Sequence, residues 1–137
     1  MPINDPSPPP VTRPRTRAVL HICEGCKDAD DEKRKAGTGG GPEILAAVQA
    51  LATHWPPELG IAIEAYDCIG NCKKRVRASI AAPGKWTWLF ADLTKDDLPA
   101  LEAFVMTWVA ANDGMVKAAD RPPAIRPKIL GRVPPPP

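Results

Sequence analysis

Ile61-Ala62-Ile63-Glu64-Ala65-Tyr66-Asp67-Cys68-Ile69-Gly70-Asn71-Cys72 is the stretch on which the reading of this chain turns. Its first half is a short, largely apolar run and predicts a strand over residues 61–66. That strand delivers the chain directly to a C-x3-C pair. The same arrangement stands upstream: the apolar run Arg17-Ala18-Val19-Leu20-His21-Ile22 predicts a buried strand and meets Cys23-Glu24-Gly25-Cys26, a C-x2-C pair. All four cysteines of the chain therefore fall in two tight pairs, 41 residues apart. Two or three intervening residues let both thiolates of a pair reach one metal centre, and Gly25 and Gly70 suit loops that turn around it.

The N-terminus offers no basic segment followed by an apolar stretch and a cleavage site, so a cytoplasmic location is expected. In a reducing compartment clustered cysteines bind metal or do redox chemistry more often than they form structural disulfides. Four soft thiolates suit zinc or an iron–sulfur cluster and do not suit magnesium or calcium. A zinc ribbon would space two C-x2-C pairs about 15–20 residues apart, and both the long gap and the C-x3-C pair depart from that pattern. Dithiol exchange is the other reading, because C-x-x-C after a strand is its signature.

Working outward, Gly37-Thr38-Gly39-Gly40-Gly41 leads to Pro42, which suits the first turn of a helix. Ile44, Val48, Leu51 and Trp55 then recur at helical spacing, and Pro56-Pro57 stop the run. After Cys72 a hairpin is expected: Val76–Ala82, a Pro83-Gly84 turn and Trp86–Phe90. Thr94 and Asp97 form a capping-box pattern. They precede a helix with Leu98, Leu101, Val105 and Trp108 on one side, ended by Asn112–Gly114. The order is β-α-β-β-β-α, an α/β domain with a mixed four-stranded sheet and two main helices, which is the thioredoxin arrangement. A redox-active thioredoxin opens its first helix at the C-x-x-C pair, and the helix dipole stabilises the thiolate. Here the helix begins about sixteen residues after Cys26, which argues against dithiol catalysis. Both pairs should instead leave the carboxyl ends of neighbouring parallel strands, the edge at which open α/β sheets place ligands.

Of the 18 prolines in 137 residues, six lie in 1–16 and seven in 121–137. The expected organisation is a Pro-rich arm over 1–16, a folded metal- or cluster-binding domain over 17–120 and a basic Pro-rich tail over 121–137. Both ends are expected to bury little. The two ends carry six basic residues against Asp5, whereas the core has a slight excess of acids. A mildly acidic core is a poor nucleic-acid binder. No apolar run approaches the ~20 residues of a membrane helix.

Lys73, Lys74, Arg75 and Arg77 follow the second pair immediately. They can offset the charge of a thiolate centre and guide an acidic partner, or simply form a solvated strand edge with Arg75 and Arg77 opposite Val76 and Ala78. His21 stands two residues before Cys23, and a hydrogen-bonded core histidine is its expected role rather than a ligand. His54 near a helix end is expected at the surface or as a charge partner of the helix C-terminus. Trp86 and Trp88 share a sheet face, with core packing expected ahead of an aromatic cover over the site. Gly37–Gly41 lacks the Lys-Ser/Thr ending of a phosphate loop. No Ser–His–Asp constellation or carboxylate pair stands out by spacing, so hydrolytic catalysis has no support.

The element order, the first cysteine site after strand one and C-x3-C after strand two resemble the thioredoxin-like 2Fe–2S ferredoxins. More closely, the chain resembles a family of small bacterial metal-binding proteins without an assigned function. That resemblance rests on Cys23–Cys26, Gly41-Pro42-Glu43-Ile44-Leu45, Asp67–Lys73 and Pro83-Gly84-Lys85-Trp86-Thr87-Trp88. It implies a non-catalytic one-electron carrier with a 2Fe–2S cluster on Cys23, Cys26, Cys68 and Cys72, a redox partner protein of acidic character, and a homodimer. The alternatives from other classes are a zinc-stabilised adaptor whose Pro-rich tails dock partners, and a metal-delivery protein with an exchangeable four-cysteine site.

Overall fold

The structure is a computed structural model, and it describes residues 18–24, 32, 40–66 and 76–136. Strand β1 spans Ala18–Cys23, helix α1 Gly40–Ala52, β2 Ile61–Tyr66, β3 Ala78–Ala81 and β4 Thr87–Phe90. Helix α2 spans Leu98–Ala110, and β5 spans Ile129–Val133. The strands form one mixed sheet in the order β2-β1-β3-β4-β5. Only β1 and β2 are parallel, joined through α1; each of the remaining pairs is antiparallel.

Period-two alternation divides the sheet into two faces. Ala18, Leu20 and Ile22 of β1 stand on the same face as Ala78 and Ile80 of β3, which in turn oppose Phe90 and Trp88 of β4. All of these are buried, and they share one core with Ile44 and Val48 of α1 and Leu101, Phe104, Val105 and Trp108 of α2. Both helices therefore cover this face. The Phe104 ring meets Trp88 and Phe90 edge-on, with centroids 5.0 and 5.2 Å apart. The two helical segments are tied to each other by an ion pair between Lys95 and Glu43 and by a 2.6 Å bond from Trp55 Nε1 to Glu102 Oε2. The other face, with Val19, His21, Ser79 and Leu89, is half-buried.

Helix α1 starts at Gly40, two residues before Pro42, which leaves the proline in the first turn where its lost donor costs nothing. The Thr94–Asp97 box forms as the spacing predicts, with Thr94 N donating to Asp97 Oδ2 at 2.8 Å. It closes a 3-10 turn over Lys95–Asp97 that runs straight into α2.

The sheet has five strands where the sequence predicts four. The additional strand comes from the C-terminal segment, expected to bury little. Ile129–Val133 pairs antiparallel with β4 across a bulge at Leu89/Phe90. Ile125 just before it is fully buried, and Lys128 Nζ reaches the Asp92 carbonyl and Asp97 Oδ2. Among the described residues, no helix is long and apolar enough to cross a membrane.

Candidate metal centre

Cys23 is the last residue of β1 and lies in parallel register with Tyr66, the last residue of β2. Glu24 N donates to the Tyr66 carbonyl at 2.7 Å, so the two strands leave the sheet together. The chain continues from β1 toward Cys26 and from β2 toward Cys68 and Cys72. Those three cysteines lie outside the described residues. Among the described residues no group of three or more His, Cys, Asp or Glu side chains could hold a metal ion.

Cys23 itself is buried, with 1% of its surface exposed. Two features frame it. On one side Cys23 N donates to the Arg77 carbonyl at 2.9 Å, which continues the β1–β3 ladder by one pair beyond Ile22 and Ala78. Directly opposed residues of an antiparallel pair share a face. Arg77 stands on the side of the sheet away from Ala78, as alternation requires, yet it is 5% exposed rather than solvated. The first described part of the basic run is thus a buried cation across the ladder from Cys23.

On the other side stands the N-terminus of α1. A Cβ on Gly41 would lie 1.9 Å from the Cys23 carbonyl oxygen and 2.9 Å from that of Glu24. Only a glycine lets the helix approach this closely, and Gly40 before it takes a positive φ of 77°. By sequence distance alone the helix start lies too far along the chain to influence the first cysteine pair. The fold returns it to the backbone of Cys23, so the partial positive charge of a helix N-terminus adjoins the site after all. Attacking thiols are partly exposed, whereas Cys23 is buried; its pair member Cys26 lies outside the described residues.

His21 is not a core residue. It stands on the half-buried face, with Nε2 3.7 Å from Glu64 Oε1 and its ring edge-on to Tyr66 at 5.6 Å. His54 is exposed, in the turn after α1.

The Pro83–Trp88 motif lies at the opposite end of the sheet from Cys23, because Val19 pairs with Ala81 just before the turn. There it fastens the hairpin to the end of α2. Lys85 Nζ donates to the carbonyls of Trp108, Val109 and Ala111 at 3.1, 2.9 and 2.6 Å, filling the C-terminal end of the helix with a cation. Burial pulls the Lys85 pKa below its usual value, and Asp113 opposes that shift. Trp86 N bonds the Asp113 carbonyl, Trp88 Nε1 the Gly114 carbonyl and Trp108 Nε1 the Trp86 carbonyl, each at 2.8 Å. Gly114, at φ 73°, has no room for a side chain between Lys85 and Trp108. The tryptophans hold the fold and are no cover for the cysteine edge.

A family model described as a protein of unknown function, DUF1636, matches residues 20–135. The match takes in the C-terminal segment that builds β5. No curated protein and no solved structure matches the chain.

Proposed function

The chain belongs to DUF1636, and we propose that it is a one-electron carrier that holds a 2Fe–2S cluster on Cys23, Cys26, Cys68 and Cys72. The observation that carries the reading is the parallel register of Cys23 with Tyr66 at one end of the sheet. Adjacent strands lie about 4.8 Å apart. A chain advances at most ~3.6 Å per residue, so residue 68 is limited to about 7 Å from Tyr66 and residue 26 to about 7 Å from Glu24. Residues 26 and 68 are therefore tethered to neighbouring points of the sheet, which supports a shared centre.

The surroundings fit such a group. A cluster on four thiolates carries a formal charge of about −2, and about −3 when reduced. A buried cation at Arg77 and a helix N-terminus against the Cys23 backbone are the surroundings such an anion needs in a medium of low dielectric. When bound, the cluster supplies reversible exchange of one electron; the protein binds it, excludes water and sets its potential. The order β2-β1-β3-β4, with β1 and β2 parallel, supports reading the domain as thioredoxin-like, with β5 an added edge. The cysteine edge with its basic run is read as the surface for an acidic redox partner, and a homodimer is part of the proposal.

The test is anaerobic purification with metal and acid-labile sulfide analysis. About two irons and two sulfides per chain, with visible absorption, are expected, and Ser at any one of the four cysteines should abolish them. A colourless protein with one zinc per chain overturns the carrier in favour of a zinc-stabilised adaptor. Metal removed by a chelator without loss of fold points instead to delivery.

A further inference from the structure

An open surface cleft of about 540 Å³ lies between the segment after α2 and the start of β5, lined by the exposed Ala118, Ala119 and Arg126 and the half-buried Arg121 and Ile129. Its two guanidinium groups are fixed by main-chain carbonyls rather than by acids. Arg121 Nε donates to the Val116 carbonyl at 3.0 Å, and its guanidinium lies over the Trp88 ring at 5.1 Å. Arg126 donates from Nε to the Arg121 carbonyl at 3.1 Å and from Nη2 to the Ala118 carbonyl at 3.2 Å. Among the described residues, no carboxylate forms an ion pair with either arginine, although Asp120 adjoins Arg121 in the chain. Both Nη groups of Arg121 and Nη1 of Arg126 have no protein acceptor among those hydrogen bonds.

Two cations held in one cleft repel each other, and the remaining donors of a guanidinium form a fork that matches the oxygens of an anion. Hydrogen bonds to carbonyls hold both side chains at the cleft, which lowers the ordering that a ligand would have to impose. The rest of the lining, Ala118, Ala119 and Ile129, is apolar and suits the organic part of a ligand. The volume falls within the usual range for small-molecule sites. Two fixed positive charges call for a dianion with several oxygens, which a phosphate monoester supplies and a single carboxylate does not.

We propose that this cleft binds a small organic phosphate monoester, with Arg121 and Arg126 on the phosphate and Ile129 and the alanines against the organic group. The site is distinct from the cysteine edge. Ile129 pairs with Phe90, Phe90 with Ala78 and Ala78 with Ile22, which sets it three strand spacings, roughly 14 Å, across the sheet.

Calorimetric titration of the full chain with phenyl phosphate, inorganic phosphate and acetate tests this. Saturable binding is expected for phenyl phosphate, weaker binding for inorganic phosphate and weaker still for acetate. Arg126 is exposed, so Arg126→Gln should keep the fold, checked by its melting curve, and lose affinity for phenyl phosphate by about tenfold or more. Arg126→Lys, which keeps the charge and loses the fork, should recover only part of that loss. Ala119→Leu narrows the apolar side and should weaken phenyl phosphate while sparing inorganic phosphate. Absence of saturable binding by phenyl phosphate up to about 10 mM, weaker than the weakest useful affinity, overturns the proposal. So does unchanged binding in folded Arg126→Gln.

Discussion

Gly41 shows how much a single missing carbon can decide. Its position against the Cys23 carbonyl is what lets α1 pack its first turn onto the end of β1. Gly41→Ala places a methyl group at 1.9 Å from main-chain oxygen, and main chain at a strand end cannot yield as a flexible side chain would. A loss of about 1–3 kcal/mol of stability is expected from the forced shift, read from denaturant melts. Iron and sulfide content should fall with it. Arg77 is the second residue of this kind. Removing its charge in Arg77→Met disfavours the more negative reduced state, so the reduction potential of cluster-loaded protein should fall. A unit charge within roughly 10 Å at an effective dielectric of about 20 changes a potential by on the order of 100 mV. Arg77→Lys should restore most of it. An unchanged potential in Arg77→Met by protein-film voltammetry would remove the residue from any electrostatic part in the site.

Elements are secured here at their ends as well as by the buried faces of their middles. The hairpin β3–β4 and the C-terminus of α2 are joined by the three indole and main-chain bonds around Trp86, Trp88 and Trp108 and by the three bonds from Lys85. Trp88→Ala removes a fully buried ring together with its bond to Gly114 and is expected to cost about 3–5 kcal/mol. Because this lock sits at the far end of the sheet, chain that still folds should bind the same metal per molecule. Loss of metal stoichiometry in folded Trp88→Phe would contradict a purely structural role. Strand β5 makes the opposite point about sequence signals. Ile129-Leu130-Gly131-Arg132-Val133 is short, contains glycine and is followed by four prolines, so by composition it resembles an extended tail. Its hydrogen-bonding partners lie about forty residues earlier in β4, and local propensity does not report a partner so distant. Deleting residues 129–137 should lower the melting temperature by several degrees, as a loss of a few kcal/mol does in a domain of this size. A disordered tail would leave it unchanged.

At the scale of the whole molecule, helices α1 and α2 cover one face of the five-stranded sheet, and Val19, His21, Ser79 and Leu89 on the other face are half-buried. The arginine cleft lies at β5, three strand positions from the end of β1 that carries Cys23. Reconstitution with iron and sulfide should raise the melting temperature of the full chain, because a ligand that binds only the folded state stabilises it by mass action. Differential scanning calorimetry of apo and reconstituted protein checks this. Identical transitions would mean that the centre is not integrated with the fold.

The sequence alone determined the local features. The β2 limits, the capping box at Thr94 and Asp97, the Pro83-Gly84 turn and the pairing of cysteines by number all follow from interactions within a few residues, and such interactions are written in residue order. The tertiary structure decided what depends on residues far apart in the chain. It brought the N-terminus of α1 to Cys23, buried Arg77 across the ladder from it, turned His21 to the half-buried face and recruited a proline-flanked segment as the fifth strand. Each of these is settled by a neighbour supplied through long-range packing, and hydrophobic burial and sheet pairing are indifferent to the sequence distance between the groups they join.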